Sequence, residues 1–255
     1  MTTRNTNWSK DEMVVAFNLY CKIPFGQIHI HNPKIIELSK FLGRTPSAVS
    51  WKLANFARFD SSLKKRNIKG ASHGSKMELV IWDEFNNNPE DFIFNSEKLL
   101  VTYTKKPLLP EDSLLLDTFL GKEGVDKERV IKTRVNQQFF RSTIIATYDN
   151  KCWITGISAC ELLIASHIIP WAVDKKNRLN PHNGLCLNAL FDKAFDKGLL
   201  TITPDYIIKI SPRLLEDNST YFFTRYNNKQ LSPPNRFAPM QEFLEYHNSK
   251  IYQPS

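Results

Sequence analysis

The chain has 255 residues, of which 42% are hydrophobic and 12% aromatic, and carries a formal net charge of +8. That length and apolar content suffice for one large core or two modest ones, which excludes wholesale disorder. No stretch of eighteen apolar residues occurs, and the opening MTTRNTNWSKDEM lacks a signal-peptide core, so no membrane association and a cytoplasmic location are expected.

Cys21, Cys152, Cys160 and Cys186 form no C-x-x-C pair. They read as buried thiols, with neither a disulfide framework nor a structural zinc expected. Charge falls in blocks: +9 over residues 1–76, −7 over 77–128 and +6 over 129–255. Two basic blocks around an acidic one favour a polyanionic partner, nucleic acid first, over a merely solvated surface.

Residues 1–103 read as a helical domain. Ser9 is an N-cap for a helix over Asp11–Lys22, stopped by Pro24-Phe25-Gly26. Asn32 caps a second helix with Pro33 at its first position, and Gly43 ends it. Thr45 caps a third, again with Pro46 first. Its buried face takes Ala48, Leu53, Phe56 and either Val49 or Trp51, while Arg44, Ser47, Ser50, Lys52 and Arg58 are expected to face outward. Trp8 and Trp51 are expected in the core. Three short helices with a tight turn before the last suit a helix-turn-helix unit on double-stranded DNA, with Lys64, Lys65 and Arg66 behind it to track phosphates. A protein-docking scaffold is the alternative. Residues 77–103 read as a helix, an Asn-rich turn and a second segment packing back as a brace.

Residues 104–128, with two prolines, two glycines and many charges, read as a linker. The domain boundary is placed near residue 125. The last domain, 129–255, opens with a basic amphipathic helix from about Thr133, with Val135, Phe139, Phe140, Ile144 and Ile145 buried. Its Arg134 and Arg141 either reach a phosphate or stand in solvent. LIASHIIPW then places His167 inside an apolar strand, a basic loop follows, and Asn183-Gly184 opens a second strand. Asn188 caps a helix on which Asp192 and Asp196, four residues apart, share a face. A histidine, an asparagine and acids converging on a hairpin and helix are the parts of a one-metal hydrolytic site. A strand or hairpin follows near residues 204–214. His247 reads as structural; His29, His31 and His73 fall in loops.

The segments CWITG, ASHIIPW, NPHNGLCLNALFDKAFDKGLLTI and, more loosely, ISPRL resemble the HNH endonucleases, which have the ββα-metal fold. NLYCKIPFG with LGRTPSAVSWKLANF also resembles a domain found ahead of bacterial HNH modules. The resemblance implies an α+β protein whose helical domain precedes a nuclease domain. It implies His167 as general base, Asn183 as organiser of the hairpin loop, and Asp192, helped by Asp196, as ligand of a divalent metal, Mg²⁺ first and Mn²⁺ second. Family members often carry Asp or His just before the base; here that position is Ser166.

The function expected is metal-dependent DNA cleavage, in restriction or phage defence, with base modification as a possible determinant of the target. One alternative is a DNA-binding regulator whose HNH module no longer cuts. Another is a structure-selective nuclease. Cutting both strands with one site per chain would favour a homodimer, although no heptad supports one.

Overall fold

Side-chain caps set where the first helices begin. The computed structural model describes residues 7–65, 74–108, 125–216 and 218–254. Ser9 closes a capping box with Glu12 and starts α1 (Lys10–Lys22). Asn32 caps α2 (Pro33–Leu42), which ends at Gly43 in the left-handed region, φ +63°. Thr45 caps α3 (Pro46–Phe56), and a 3₁₀ turn, Ala57–Phe59, continues it into α4 (Ser61–Lys65). Ser75 caps α5 (Lys76–Asn87), and Asn88 both ends α5 and caps α6 (Pro89–Thr104). A long helix, α7 (Val125–Thr147), follows.

The chain divides into compact units at residues 143 and 144. The first is all helical where described. Its core centres on Phe17, fully buried, whose ring lies 5.0–5.9 Å from those of Phe56, Phe85, Phe92 and Trp82. Aromatic edges on aromatic faces suit the ring quadrupoles and add to the burial of large apolar area. The division lies later than the boundary expected near residue 125, and α7 begins eight residues earlier than expected. The apolar face of α7 explains this: Val135 clusters with Phe94, Leu108 and Ile131, and Phe139 packs on Phe85. Residues 109–124 of the expected linker lie outside the described residues.

Buried ion pairs brace the first unit and correct the outward placement expected for three cations. Arg44 is buried, donates to Glu12 at 2.7 Å and lies over Trp8 at 4.3 Å. Lys52 is buried and donates to Glu78 at 2.6 Å. Arg58 donates to the other Glu78 oxygen at 2.9 Å, and Asn55 adds a bond at 3.0 Å. Glu78 is fully buried, so these donors replace the water it has lost. Trp51 also departs from expectation: it is 63% exposed, and Val49 takes the buried position.

The second unit holds two small antiparallel sheets. In the first, β1 (Leu163–His167) pairs with β2 (Gly184–Asn188), from Leu163 opposite Asn188 to His167 opposite Gly184. Asn188 accepts from the backbone of Leu190 and Phe191, starting α8 (Ala189–Asp196) directly after β2. A hairpin of β3 (Leu200–Ile202) and β4 (Ile208–Ile210) follows, then the short α9 (Pro212–Leu215) and α10 (Gln241–Lys250). Gly198 is needed between α8 and β3: its φ is +66°, and a Cβ there would lie 2.0 Å from the carbonyl oxygen of Ile251. No described helix is long and apolar enough to cross a membrane. Three cysteines are buried, but Cys160 is exposed, against the expectation for it.

His247 of α10 locks this unit from behind. It stacks on Phe195 at 3.6 Å, donates from Nε2 to the Phe195 carbonyl at 3.1 Å, and accepts at Nδ1 from the Thr201 hydroxyl at 2.8 Å. Burial pushes its pKa down to about 4. The unfolded chain, with an ordinary histidine near 6.5, therefore takes the proton first as pH falls. Stability from this group is complete above about pH 6.5 and is lost as pH drops towards 4. Between pH 7 and 5 the wild type should lose about 2 kcal/mol that His247→Gln does not, measured by urea unfolding of both proteins. Parallel pH dependence in the two would contradict this.

Candidate active site

The site is built where β1 ends. His167 is the last residue of β1, not an interior one as expected, so its ring meets the loop that returns to β2. Its Nε2 lies 2.9 Å from the carbonyl oxygen of Arg178. A carbonyl only accepts, so Nε2 carries the proton and Nδ1 holds the lone pair of the neutral ring. Burial lowers the pKa below the ordinary value; the Arg178 carbonyl opposes this, and the Arg178 charge adds to it. The imidazole is thus neutral at pH 7 with its basic nitrogen defined, the state a general base requires.

Asn183 is fully buried and fixes the other end of the loop. Its Oδ1 accepts from the Ile169 N–H at 2.8 Å, and its Nδ2 donates to the carbonyls of Ile169 and Asn177, each at 3.2 Å. Its own carbonyl accepts from the Ile168 N–H at 3.0 Å. One amide side chain therefore joins the residues just after His167 to the residue just before Arg178. Both supports of the imidazole, its own strand end and its carbonyl acceptor, pass through Asn183.

Asp192 and Asp196 project from α8. Asp192 is half-buried, and burial raises its pKa; the charge of Asp196 adds to the rise, while Ser166 and Lys193 oppose it. Asp196 is exposed, and its pKa is also raised, by partial burial against the pull of Lys193 and Lys197. The Ser166 hydroxyl is buried and makes no hydrogen bond of ordinary geometry, yet it lies near enough to Asp192 to favour the carboxylate. A bound cation would relieve both the repulsion between the acids and the desolvation of Asp192. The described residues contain no cluster of three His, Cys, Asp or Glu side chains able to hold a metal. These oxygens do not make a closed cage, but they fit a hard cation such as Mg²⁺, which takes one or two carboxylates and fills its sphere with water and phosphate.

Among the described residues, those expected to bind DNA in the first unit do not all face solvent. Arg44, Lys52 and Arg58 are held by Glu12 and Glu78. Ser47 and Lys64 are exposed and Ser50 is half-buried. Lys65 ends α4, and Arg66 lies outside the described residues. The sequence held a signal for Lys52: with Val49, Leu53 and Phe56 it completes the i, i+3, i+4, i+7 pattern of a buried face. Sequence reasoning also missed Trp171 and Arg178. The Trp171 ring meets the His167 ring edge-on at 5.5 Å, and Arg178 lies over Trp171 at 5.0 Å. No periodicity marks residues in an irregular loop.

Turn Cys152–Gly156, strand, fixed loop, strand and helix occur in the order ββα, and residues 152–203, which span them, match the model of the HNH endonuclease family. No curated protein matches the chain. Residues 152–203 of this second unit thus carry the HNH endonuclease signature.

Proposed function

We propose that the protein is a metal-dependent DNA endonuclease that hydrolyses phosphodiester bonds with His167 as general base. The observation that carries this is the His167 tautomer: Nε2 is committed to the Arg178 carbonyl, which makes Nδ1 the basic nitrogen. Nδ1 takes a proton from the attacking water, the water oxygen bonds to phosphorus, and the bond from phosphorus to the 3′ oxygen breaks. Asn183 holds His167 through the loop and touches no substrate. Asp192 and Asp196, with the Ser166 hydroxyl near Asp192, would hold a Mg²⁺ ion, whose charge would stabilise the phosphate and the leaving oxygen.

The basic charge of the chain supports a nucleic-acid substrate. Target selection is assigned to the first unit, through exposed Ser47 and Lys64 and the basic segment after α4, and not through Arg44, Lys52 or Arg58. The biological role proposed is restriction or phage defence, with base modification as a determinant of the target. A second reading, a DNA-binding regulator that does not cut, is favoured by Ser166, which stands where the family often carries a metal ligand.

Asp192→Asn tests the metal assignment. The variant should lose on the order of 100-fold or more in plasmid-nicking rate and need more Mg²⁺ for half-maximal rate, and EDTA should abolish cutting by the wild type. An unchanged Mg²⁺ dependence would remove Asp192 from the site.

A further inference from the structure

One cation beside His167 has no role in the reaction as described so far. Arg178 is half-buried in the loop between β1 and β2. Its Nε donates to the Trp171 carbonyl at 2.7 Å, and its guanidinium lies over the Trp171 ring, which in turn packs edge-on against His167. The indole of Trp171 thus touches both the guanidinium and the imidazole at the end of β1. The guanidinium is close enough for its charge to disfavour protonation of His167.

The ion pairs formed among the described residues engage Arg44, Arg58 and several lysines, but not Arg178. With Nε committed to Trp171, the Nη groups find no side-chain acceptor among the described residues, and they are not sealed from solvent there. The loop beneath them is fixed. Asp174 accepts from the backbone of Lys176 and Asn177 at 3.0 and 3.1 Å and from the Asn177 side chain at 2.7 Å. Asn180 donates to Asn177 at 3.0 Å, and Asn183 closes the loop at the Asn177 carbonyl. A guanidinium held on an aromatic face, with its Nη edge open, is preorganised for two oxygens of one phosphate.

We propose that Arg178 is the phosphate clamp of this site: its Nη groups donate to non-bridging oxygens of the phosphodiester being cut, while its backbone carbonyl holds His167 as the Nε2–H tautomer. The inference rests on the nuclease reading and adds the residue that binds the reacting group. The two duties sit on different atoms. Substituting the side chain removes the clamp and leaves the carbonyl in place, so phosphate binding can be separated from base orientation.

The test uses the full chain and a short mixed-sequence DNA duplex, with binding followed against KCl concentration in EDTA, where metal-assisted cleavage is stopped. Arg178→Gln should bind more weakly, with the slope of log affinity against log salt shallower by about 0.9, as for one lost phosphate contact, and Arg178→Lys should keep the wild-type slope. Imidazole ¹⁵N shifts of His167 should report the Nε2–H tautomer in all three proteins. With Mg²⁺ and saturating duplex, Arg178→Gln should cut about 100-fold more slowly than wild type. A wild type that cuts nothing sinks the nuclease reading, while the salt slopes still decide for or against the clamp. An unchanged slope in Arg178→Gln overturns the proposal. So does a changed His167 tautomer in that variant, because the side chain would then act by shaping the loop.

Discussion

His167→Ala should cut DNA about 10²- to 10⁴-fold more slowly than wild type, the range a positioned general base contributes. Its affinity for duplex in EDTA should stay within about twofold, because the imidazole is committed to the Arg178 carbonyl and to Trp171 and binds no phosphate in this account. The pH profile carries the same signature. Only the neutral ring accepts a proton, so the wild-type rate, where chemistry limits, should be level at neutral pH and fall about tenfold per unit on the acid side. The fall should begin below 6.5, because burial lowers the His167 pKa. A profile flat from pH 5 to 8, or a variant that cuts as well as wild type, would remove His167 from the chemistry.

Glu78→Ala should destabilise the first unit by about 3–5 kcal/mol. The carboxylate is fully buried and is the shared acceptor of Lys52, Asn55 and Arg58. Removing it leaves the Lys52 ammonium buried without its counter-charge. Glu78→Gln, which keeps an acceptor oxygen, should cost less. Urea or thermal unfolding of the three proteins measures the difference. A loss under about 1 kcal/mol for Glu78→Ala would mean that water reaches Lys52 and that the network is peripheral. The same pairing predicts that Lys52→Ala acts on stability rather than on DNA affinity.

The helix starts were legible because caps are local: Ser9, Asn32, Thr45 and Asn188 each bond within three residues of themselves. The ββα order was legible through the resemblance to the HNH endonucleases, which also singled out His167, Asn183 and Asp192 as candidates, since turn, strand and helix lengths are short-range properties. What could not be read was pairing across distance. Lys52 and Arg58 meet Glu78 from 26 and 20 residues away, and Arg44 meets Glu12 from 32. A cation near the edge of a helix face reads as exposed until its carboxylate is found. Trp51 failed for the converse reason: its apolar bulk suggested burial, but its angle on α3 opposes Val49 and Leu53. Around His167, the Arg178 carbonyl acceptor was invisible because a main-chain group in an irregular loop carries no residue-type signal.

Whether this chain cuts DNA with His167 is decided by incubating supercoiled plasmid, methylated and unmethylated, with the full chain and Mg²⁺ beside an identically purified His167→Ala protein. The wild type should give nicked or linear product on at least one plasmid and none in EDTA, and the variant should cut at least about 100-fold more slowly. Intact plasmid in every wild-type reaction, or equal cutting by the two proteins, would contradict it.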